Sequence, residues 1–466
     1  MKMERRKAGV QIGTALALGL ALRLLFVVHT PRIAGDTLIY GDIAKNWMQH
    51  GVYGFSQTAS GPVPTLIRLP GYPLFLALCF GIFGADHYRA VMVVQCLIDL
   101  VTCLLVADLA RRLFGRRAGM VVLWLAALCP FTANYVAAPL TETLSLLCVA
   151  VAFWGMERWR AAGLGWNRWL WMIAVALAYA VLLRPEQGLL AAAVVPGMLW
   201  MELRGRKGEL AGAVAPVLVA AVCVVLPLVP WTARNWRTFH VFEPLAPRYA
   251  TDPGEIVSRG FQRWYKSWGI DFVSTENVYW NWDSATIDVA DIPTRAFDSE
   301  EQYTRTAALI SKYNVETTAT PELDAAFDAL AKERIADDPL RYYVALPVGR
   351  LVNMLLRPRT EMMEIDLEWW RWKHPAKTVF AGAYALLNFA YLALGVFGLW
   401  RWRRERWDAP LAWAMVAFVV LRCAMLLTLD NSEPRYTLEF FPLLLVWSGA
   451  LFAGRDGLFT RENSSV

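Results

Sequence analysis

Charge is scarce in this sequence: 18% of its 466 residues are Asp, Glu, Lys or Arg, against 57% that are hydrophobic. A chain so apolar does not fold with water as its only solvent, so lipid must surround much of it. Histidine is scarcer still, and the five (His29, His50, His87, His240 and His374) show no paired spacing. They define no metal site by themselves, although one of them could complete a site of Asp and Glu. The seven cysteines (Cys79, Cys96, Cys103, Cys129, Cys148, Cys223 and Cys423) lie in or beside apolar stretches without ligand spacing, which argues against structural disulfides and zinc knuckles. No repeat of fixed period, low-complexity stretch or echo between the two halves is present, which weakens a transporter built from internal repeats. Nor is there a basic stripe. The net charge of +6 is spread as short Lys and Arg clusters between apolar runs, a pattern of membrane topology and not of nucleic-acid binding.

What is present is a succession of apolar segments. Breaking the chain at its charge clusters predicts helices near 9–28, 88–110, 118–134, 141–157, 169–183, 187–202, 209–231, 376–400, 409–428 and 437–454, several long enough to cross a hydrocarbon slab that needs roughly 20 helical residues. The basic start MKMERRK is followed by no small-x-small cleavage site, so it reads as an uncleaved first helix. Alternate connections carry MKMERRK, RRLFGRR, ERWRAAGLGWNR, RGRK, RWRRER and GRDGLFTR, whereas the short loops at 130–141 and 430–436 hold almost no Lys or Arg. The positive-inside rule then puts both termini in the cytoplasm, where the sequon at Asn463 is a chance match.

The fold class expected is an all-α polytopic membrane protein of about ten transmembrane helices, with outer amphipathic helices and a mainly helical outer soluble segment. Three regions follow: an N-terminal transmembrane region 1–231 containing a first outer loop 29–87, a large outer segment 232–375, and a C-terminal transmembrane region 376–466. The outer segment holds 22 Asp and Glu against 17 Lys and Arg, and its stretch 324–338 reads as a helix. Its Trp264, Trp268, Trp280 and Trp282 could stack on sugar faces or sit in an interfacial belt, the default for Trp231, Trp236, Trp369, Trp370 and Trp372 beside the helices.

The polar residues of interest gather at the predicted outer surface. In GDTLIYGDIAKNW, Ile39, Ile43 and Trp47 fall at helical spacing, which predicts an interfacial helix with Asp36 at its start. Asp36 could be a helix cap, a catalyst at the membrane surface, or both. Asp42, roughly 240° further round, does not share its face. Arg68 precedes the amphipathic PGYPLFLALCF and would meet headgroups or an anionic ligand. Glu142 opens a helix after APLT, where its charge suits the helix dipole. Arg184 and Glu186 share one outer turn, and Glu433, Arg435 and Tyr436 share the last. Helix ends at a membrane commonly carry anchoring charges; the informative feature is that these acids and arginines share one side. Arg23, Asp99 and Arg422 lie inside predicted helices, where charge faces protein or a water-filled cavity, and Gln95 stands one turn from Asp99 as a hydrogen-bonding partner.

Taken together, GDTLIYGDIAKNW, RLPGYPLFLAL, PLTETLSLL, LRPE, PWTARNW and SEPRYTLEFFPLL resemble the C-type superfamily of membrane glycosyltransferases, nearest to bacterial relatives of protein mannosyltransferases and aminoarabinose transferases. The stretch 245–360 matches no pattern. The resemblance implies a bacterial inner-membrane enzyme of hexosyl or mannosyl type that takes its sugar from a polyprenyl phosphate and inverts the anomeric centre. It maps the general base onto Asp36 and a second acid onto Glu142, with Arg435, Arg68 and Arg184 as candidates for the donor phosphate and Tyr40, Glu186, Arg234, Glu433 and Tyr436 as further cleft residues. Some relatives hold a divalent metal with adjacent acids, whereas here Thr37 follows Asp36. Partners would be the lipid-linked donor, a glycan, lipid or protein acceptor and membrane lipids, with no nucleic acid. The alternatives are a lipid-linked glycan flippase or transporter, marked by a passage lined by Arg23, Asp99 and Arg422, and a glycan ligase or polymerase with a roomier cleft.

Overall fold

The computed structural model describes residues 2–57, 61–205, 210–405 and 409–454, so the Asn463 sequon lies outside the described residues. The chain forms two compact units. The first comprises Met1–Asp252, Phe389–Leu421 and Leu438–Val466; the second comprises Pro253–Asn388 and Arg422–Thr437.

The first unit opens with α1 (Lys2–His29), α2 (Asp36–His50), α3 (Gly71–Phe83), α4 (Tyr88–Phe114), α5 (Arg116–Ala127), α6 (Pro130–Tyr135) and α7 (Glu142–Ala161). It continues with α8 (Arg168–Leu183), α9 (Gly188–Gly205), α10 (Leu210–Val225) and α11 (Leu228–Phe239). Five helices among the described residues are long and apolar enough to span a membrane: 6–29, 88–114, 214–239, 375–404 and 410–427. Their outward faces keep large apolar side chains such as Val10, Leu97 and Leu386 exposed, as a lipid solvent allows. The helical class holds, apart from one two-stranded antiparallel ladder, β1 (Gly54–Phe55) with β2 (Val63–Pro64), in the first loop.

Three predicted helices are interrupted where proline falls. The 118–134 segment divides because Cys129 is extended ahead of Pro130, as a residue before proline prefers to be. The 209–231 segment divides between α10 and α11 at Pro227, and α11 then runs on to Phe239. The 437–454 segment becomes 3₁₀ turns on either side of α19 (Phe441–Ser448).

Inside the bundle, Arg23 of α1 donates from Nε to Asp99 Oδ2 of α4 at 2.8 Å and from Nη1 to the carbonyls of Gly19 and Ala127 at 2.8 Å. Asp99 therefore pairs with Arg23 and not with Gln95. Gln95, one turn earlier, accepts from Tyr72 at 2.8 Å and donates to the carbonyls of Val136 and Ala138. Gly71, which opens α3, is needed for close approach: a Cβ there would stand 2.5 Å from the Leu182 carbonyl oxygen of α8.

The second unit contains α12 (Arg259–Lys266), α13 (Phe272–Ser274), α14 (Glu300–Tyr313), α15 (Pro321–Asp337) and α16 (Leu346–Leu356). The helix expected at 324–338 is α15, capped by Thr320 with Pro321 in its first turn. Trp264 and Trp268 are buried in an aromatic core with Phe261, Tyr265 and Phe327, and Trp282 stacks on Phe261 at 4.0 Å and on Tyr313 at 4.6 Å. These tryptophans fill a core in place of offering faces to sugar. Trp231 is likewise buried in the first unit, whereas Trp236, Trp370 and Trp372 are exposed, as a belt requires. Helix α17 (Pro375–Glu405) and α18 (Ala409–Leu427) each pass through both units.

Candidate functional site

The site in the first unit is built on the connections that follow α1, α6 and α8. Gly35 adopts φ +53° ahead of α2, a conformation that costs glycine little. It takes the N-cap position, so Asp36 is the first residue of the helix and not its cap. The amphipathic pattern turns Tyr40, Ile43 and Ala44 inward and leaves the Asp36 side chain 24% exposed. Its carboxylate accepts from Arg68 Nη2 at 2.7 Å.

Arg68 is held where it can reach that acid. Tyr53 donates to the Arg68 carbonyl at 2.8 Å, and Arg234 clamps the same hairpin by donating to the Thr65 and Tyr53 carbonyls at 2.7 Å. Arg234 thus positions the loop. Asp42 closes the hairpin's far side, accepting from Ser56 N at 2.8 Å and Oγ at 2.7 Å.

A second acid and arginine pair stands at the starts of α7 and α9. Glu142, nearly fully buried, lies 3.2 Å from Arg184 Nη1, and Arg184 Nε lies 2.6 Å from Glu186. Extended backbone at Arg184 ends α8 and a 3₁₀ turn over Pro185–Gln187 follows, which aims the arginine back toward Glu142.

Tyr40 joins the two pairs. The Arg68 guanidinium lies 5.8 Å from its ring centroid, and Tyr72 meets the ring edge-on at 5.1 Å. Burial pushes the Tyr40 phenol up to about 12, against the pull of Arg68, with Asp36, Arg184 and Glu142 also within electrostatic range. The structure therefore brings Asp36, Tyr40, Arg68, Glu142 and Arg184 within electrostatic range of one another, and Glu186 joins them through Arg184.

Among the described residues, no group of three or more His, Cys, Asp or Glu side chains could hold a metal ion. The acids here face arginines. That donor set does not fit a divalent cation.

Glu433, Arg435 and Tyr436 lie in the second unit. Arg435 Nε is 2.5 Å from Glu433, and its guanidinium is 5.7 Å from the Tyr436 ring centroid. Two buried arginines fix this turn. Arg422 donates to the Tyr436 carbonyl at 3.2 Å. Arg359 donates to Asn388 Oδ1 at 3.1 Å, the Pro434 carbonyl at 2.8 Å and Thr437 Oγ1 at 2.5 Å. Sequence reasoning missed Arg359, whose RPRT context lies in the stretch without a recognisable pattern. Lysine cannot reproduce its planar fork. Arg359→Lys should lower stability by about 2 to 3 kcal/mol, read as a lower Tm in detergent.

Residues 63–231 match the family described as dolichyl-phosphate-mannose-protein mannosyltransferase. Among solved structures, the oligosaccharyltransferase AglB from Archaeoglobus fulgidus, in complex with an inhibitory peptide and a dolichol-phosphate, is 12% identical, with 97% of this chain and 50% of that chain covered and a TM-score of 0.50. The oligosaccharyltransferase of Archaeoglobus fulgidus tethered with an acceptor peptide containing the NVT sequon is 12% identical, with 95% and 48% covered and a TM-score of 0.51. ArnT from Cupriavidus metallidurans bound to undecaprenyl phosphate is 15% identical, with 96% and 76% covered and a TM-score of 0.36. The chain spans about half the length of the archaeal proteins it matches. No curated protein matches it in sequence.

Proposed function

We propose that the chain is a C-type membrane glycosyltransferase that moves a sugar from a polyprenyl-phosphate donor to an acceptor hydroxyl, a reading supported by the family match over residues 63–231 and by the fold shared with an archaeal oligosaccharyltransferase. The transfer takes place on the outer face of a bacterial inner membrane crossed about ten times, with both termini in the cytoplasm. The observation that carries this reading is the partly exposed Asp36 carboxylate at the start of an interfacial helix, 2.7 Å from Arg68, with Glu142 and Arg184 acting on the same Tyr40 ring. A relative in fold that is known with dolichol-phosphate supports a lipid-linked donor.

Asp36 takes the proton of the acceptor hydroxyl as its oxygen attacks the anomeric carbon. The bond from that carbon to the phosphate oxygen breaks in the same displacement, which inverts the centre. Polyprenyl phosphate leaves with one added negative charge. Arg68 and Arg184 meet this charge with planar N–H forks. Glu142 holds Arg184 in place, and with its carboxylate buried it does so without competing for the acceptor. A lipid donor explains the location, because apolar helices can hold the prenyl chain while the sugar sits in water.

The flippase alternative needs Arg23, Asp99 and Arg422 to line a passage, but Arg23 donates to Asp99 and to the carbonyls of Gly19 and Ala127, and Arg422 donates to the Tyr436 carbonyl. The proposal is tested with Arg68→Gln and a labelled polyprenyl-phosphate sugar. Losing a charged hydrogen bond to phosphate should raise the donor KM about 10- to 100-fold. An unchanged KM and kcat would remove Arg68 from the donor site.

A further inference from the structure

We infer that the end of the bundle far from Asp36 carries a discrete site for an anionic phospholipid, built on Arg158 and Arg168. Glu142 opens α7 and Arg158 lies near its close, about 24 Å further along the axis at 1.5 Å per residue. That distance approaches the hydrocarbon thickness, so the two residues belong to opposite membrane surfaces.

Two guanidinium groups meet at this end around one carboxylate. Asp108 accepts from Arg111 at 2.5 Å, from Arg112 at 2.7 Å and from the Trp154 indole at 2.9 Å. Both of its oxygens are therefore occupied. Arg158 lies in the field of Arg112, Arg168 and Arg111, with Asp108 opposing them. Its guanidinium sits 4.4 Å from the Trp169 ring centroid, and that of Arg168 sits 4.6 Å from the same ring. Among the described residues neither guanidinium has a carboxylate partner, and the buried Nε of Arg158 has no hydrogen-bond partner. Stacking on an indole uses the face of a guanidinium and leaves its N–H edge open. Neither edge has a carboxylate acceptor, and a phosphodiester oxygen supplies one.

The frame is fixed before any ligand arrives. Trp159 donates to the Gly165 carbonyl at 2.8 Å, Gly165 N donates to Glu202 at 2.5 Å, and Asn167 caps α8 by accepting from Trp169 N at 2.9 Å. Trp166 and Trp171, 55% and 45% exposed, flank the cluster. Exposed indoles mark headgroup depth, which favours a lipid over a soluble phosphate. The basic connections of this end place it on the cytoplasmic leaflet, where anionic headgroups draw juxtamembrane arginines. The site stands apart from the proposed chemistry and does not depend on it.

The test is native mass spectrometry of the full chain in detergent, titrated with phosphatidylglycerol or phosphatidylcholine. Phosphatidylglycerol should bind in preference, and Arg158→Gln/Arg168→Gln should weaken it about tenfold or more. A control of equal charge loss, Arg204→Gln/Arg404→Gln, removes two other arginines stacked on tryptophan and should change it less than about twofold. Equal losses in the two double variants would mean diffuse attraction and overturn the site. So would unchanged binding, or inorganic phosphate raising the Tm as much as the lipid does. Should the double variant fail to fold, Arg158→Lys keeps the charge without the fork; it should still weaken phosphatidylglycerol, and wild-type binding by it would contradict the proposal.

Discussion

Asp36→Asn is expected to slow sugar transfer by about 10²- to 10⁴-fold while leaving the Tm and the donor KM close to those of the wild type. Asparagine keeps an oxygen that can accept from Arg68, now 2.7 Å from the carboxylate, so the hairpin and the arginine stay in place. What it loses is the capacity to take a proton. The effect should therefore fall on kcat at saturating donor, unlike that of Arg68→Gln, which falls on KM. A variant that transfers at the wild-type rate would leave Asp36 as a helix-start residue whose carboxylate serves only its arginine.

The largest effect on stability is expected from Asp99→Leu. Arg23 is fully buried in the bundle, and Asp99 receives both its Nε and Nη2. Removing the carboxylate leaves a charged guanidinium among apolar helices, a loss of about 3 to 5 kcal/mol. Thermal unfolding in detergent should show it as a markedly lower Tm. Arg23→Met/Asp99→Leu removes both charges together and should recover most of the loss, because apolar side chains of similar volume pack there without a desolvation cost. The double variant also separates functions. If Arg23 and Asp99 touched a passing substrate, removing both would abolish activity even in a folded protein. As a structural pair, their joint removal leaves transfer intact.

Periodicity made the helical class and α2 legible, though not the number of spans, since five described helices reach membrane length. Ile39, Ile43 and Trp47 announced a half-buried helix, and Asp36 fell at its start. What one sequence could not convey was pairing across distance. Nothing near Asp36 in the chain specifies Arg68, and nothing near Glu142 specifies Arg184; the fold supplies both pairs. Gln95 was an attractive partner for Asp99 because one helical turn separates them, yet a neighbouring helix offered Tyr72 to one and α1 offered Arg23 to the other. Trp264, Trp268 and Trp282 misled for a related reason: aromatic residues suit sugar faces, membrane surfaces and cores alike, and only their packing with Phe261 and Phe327 decides the matter. Arg359 went unnoticed because its value lies in three acceptors far along the chain.

The central claim is tested most directly by purified chain in liposomes given a polyprenyl-phosphate donor labelled in its sugar, together with a cell-envelope acceptor extract. The account predicts that the label leaves the lipid, appears on an acceptor, and is matched by released polyprenyl phosphate. Label that crosses the bilayer while still attached to its lipid, with no polyprenyl phosphate released, would contradict it.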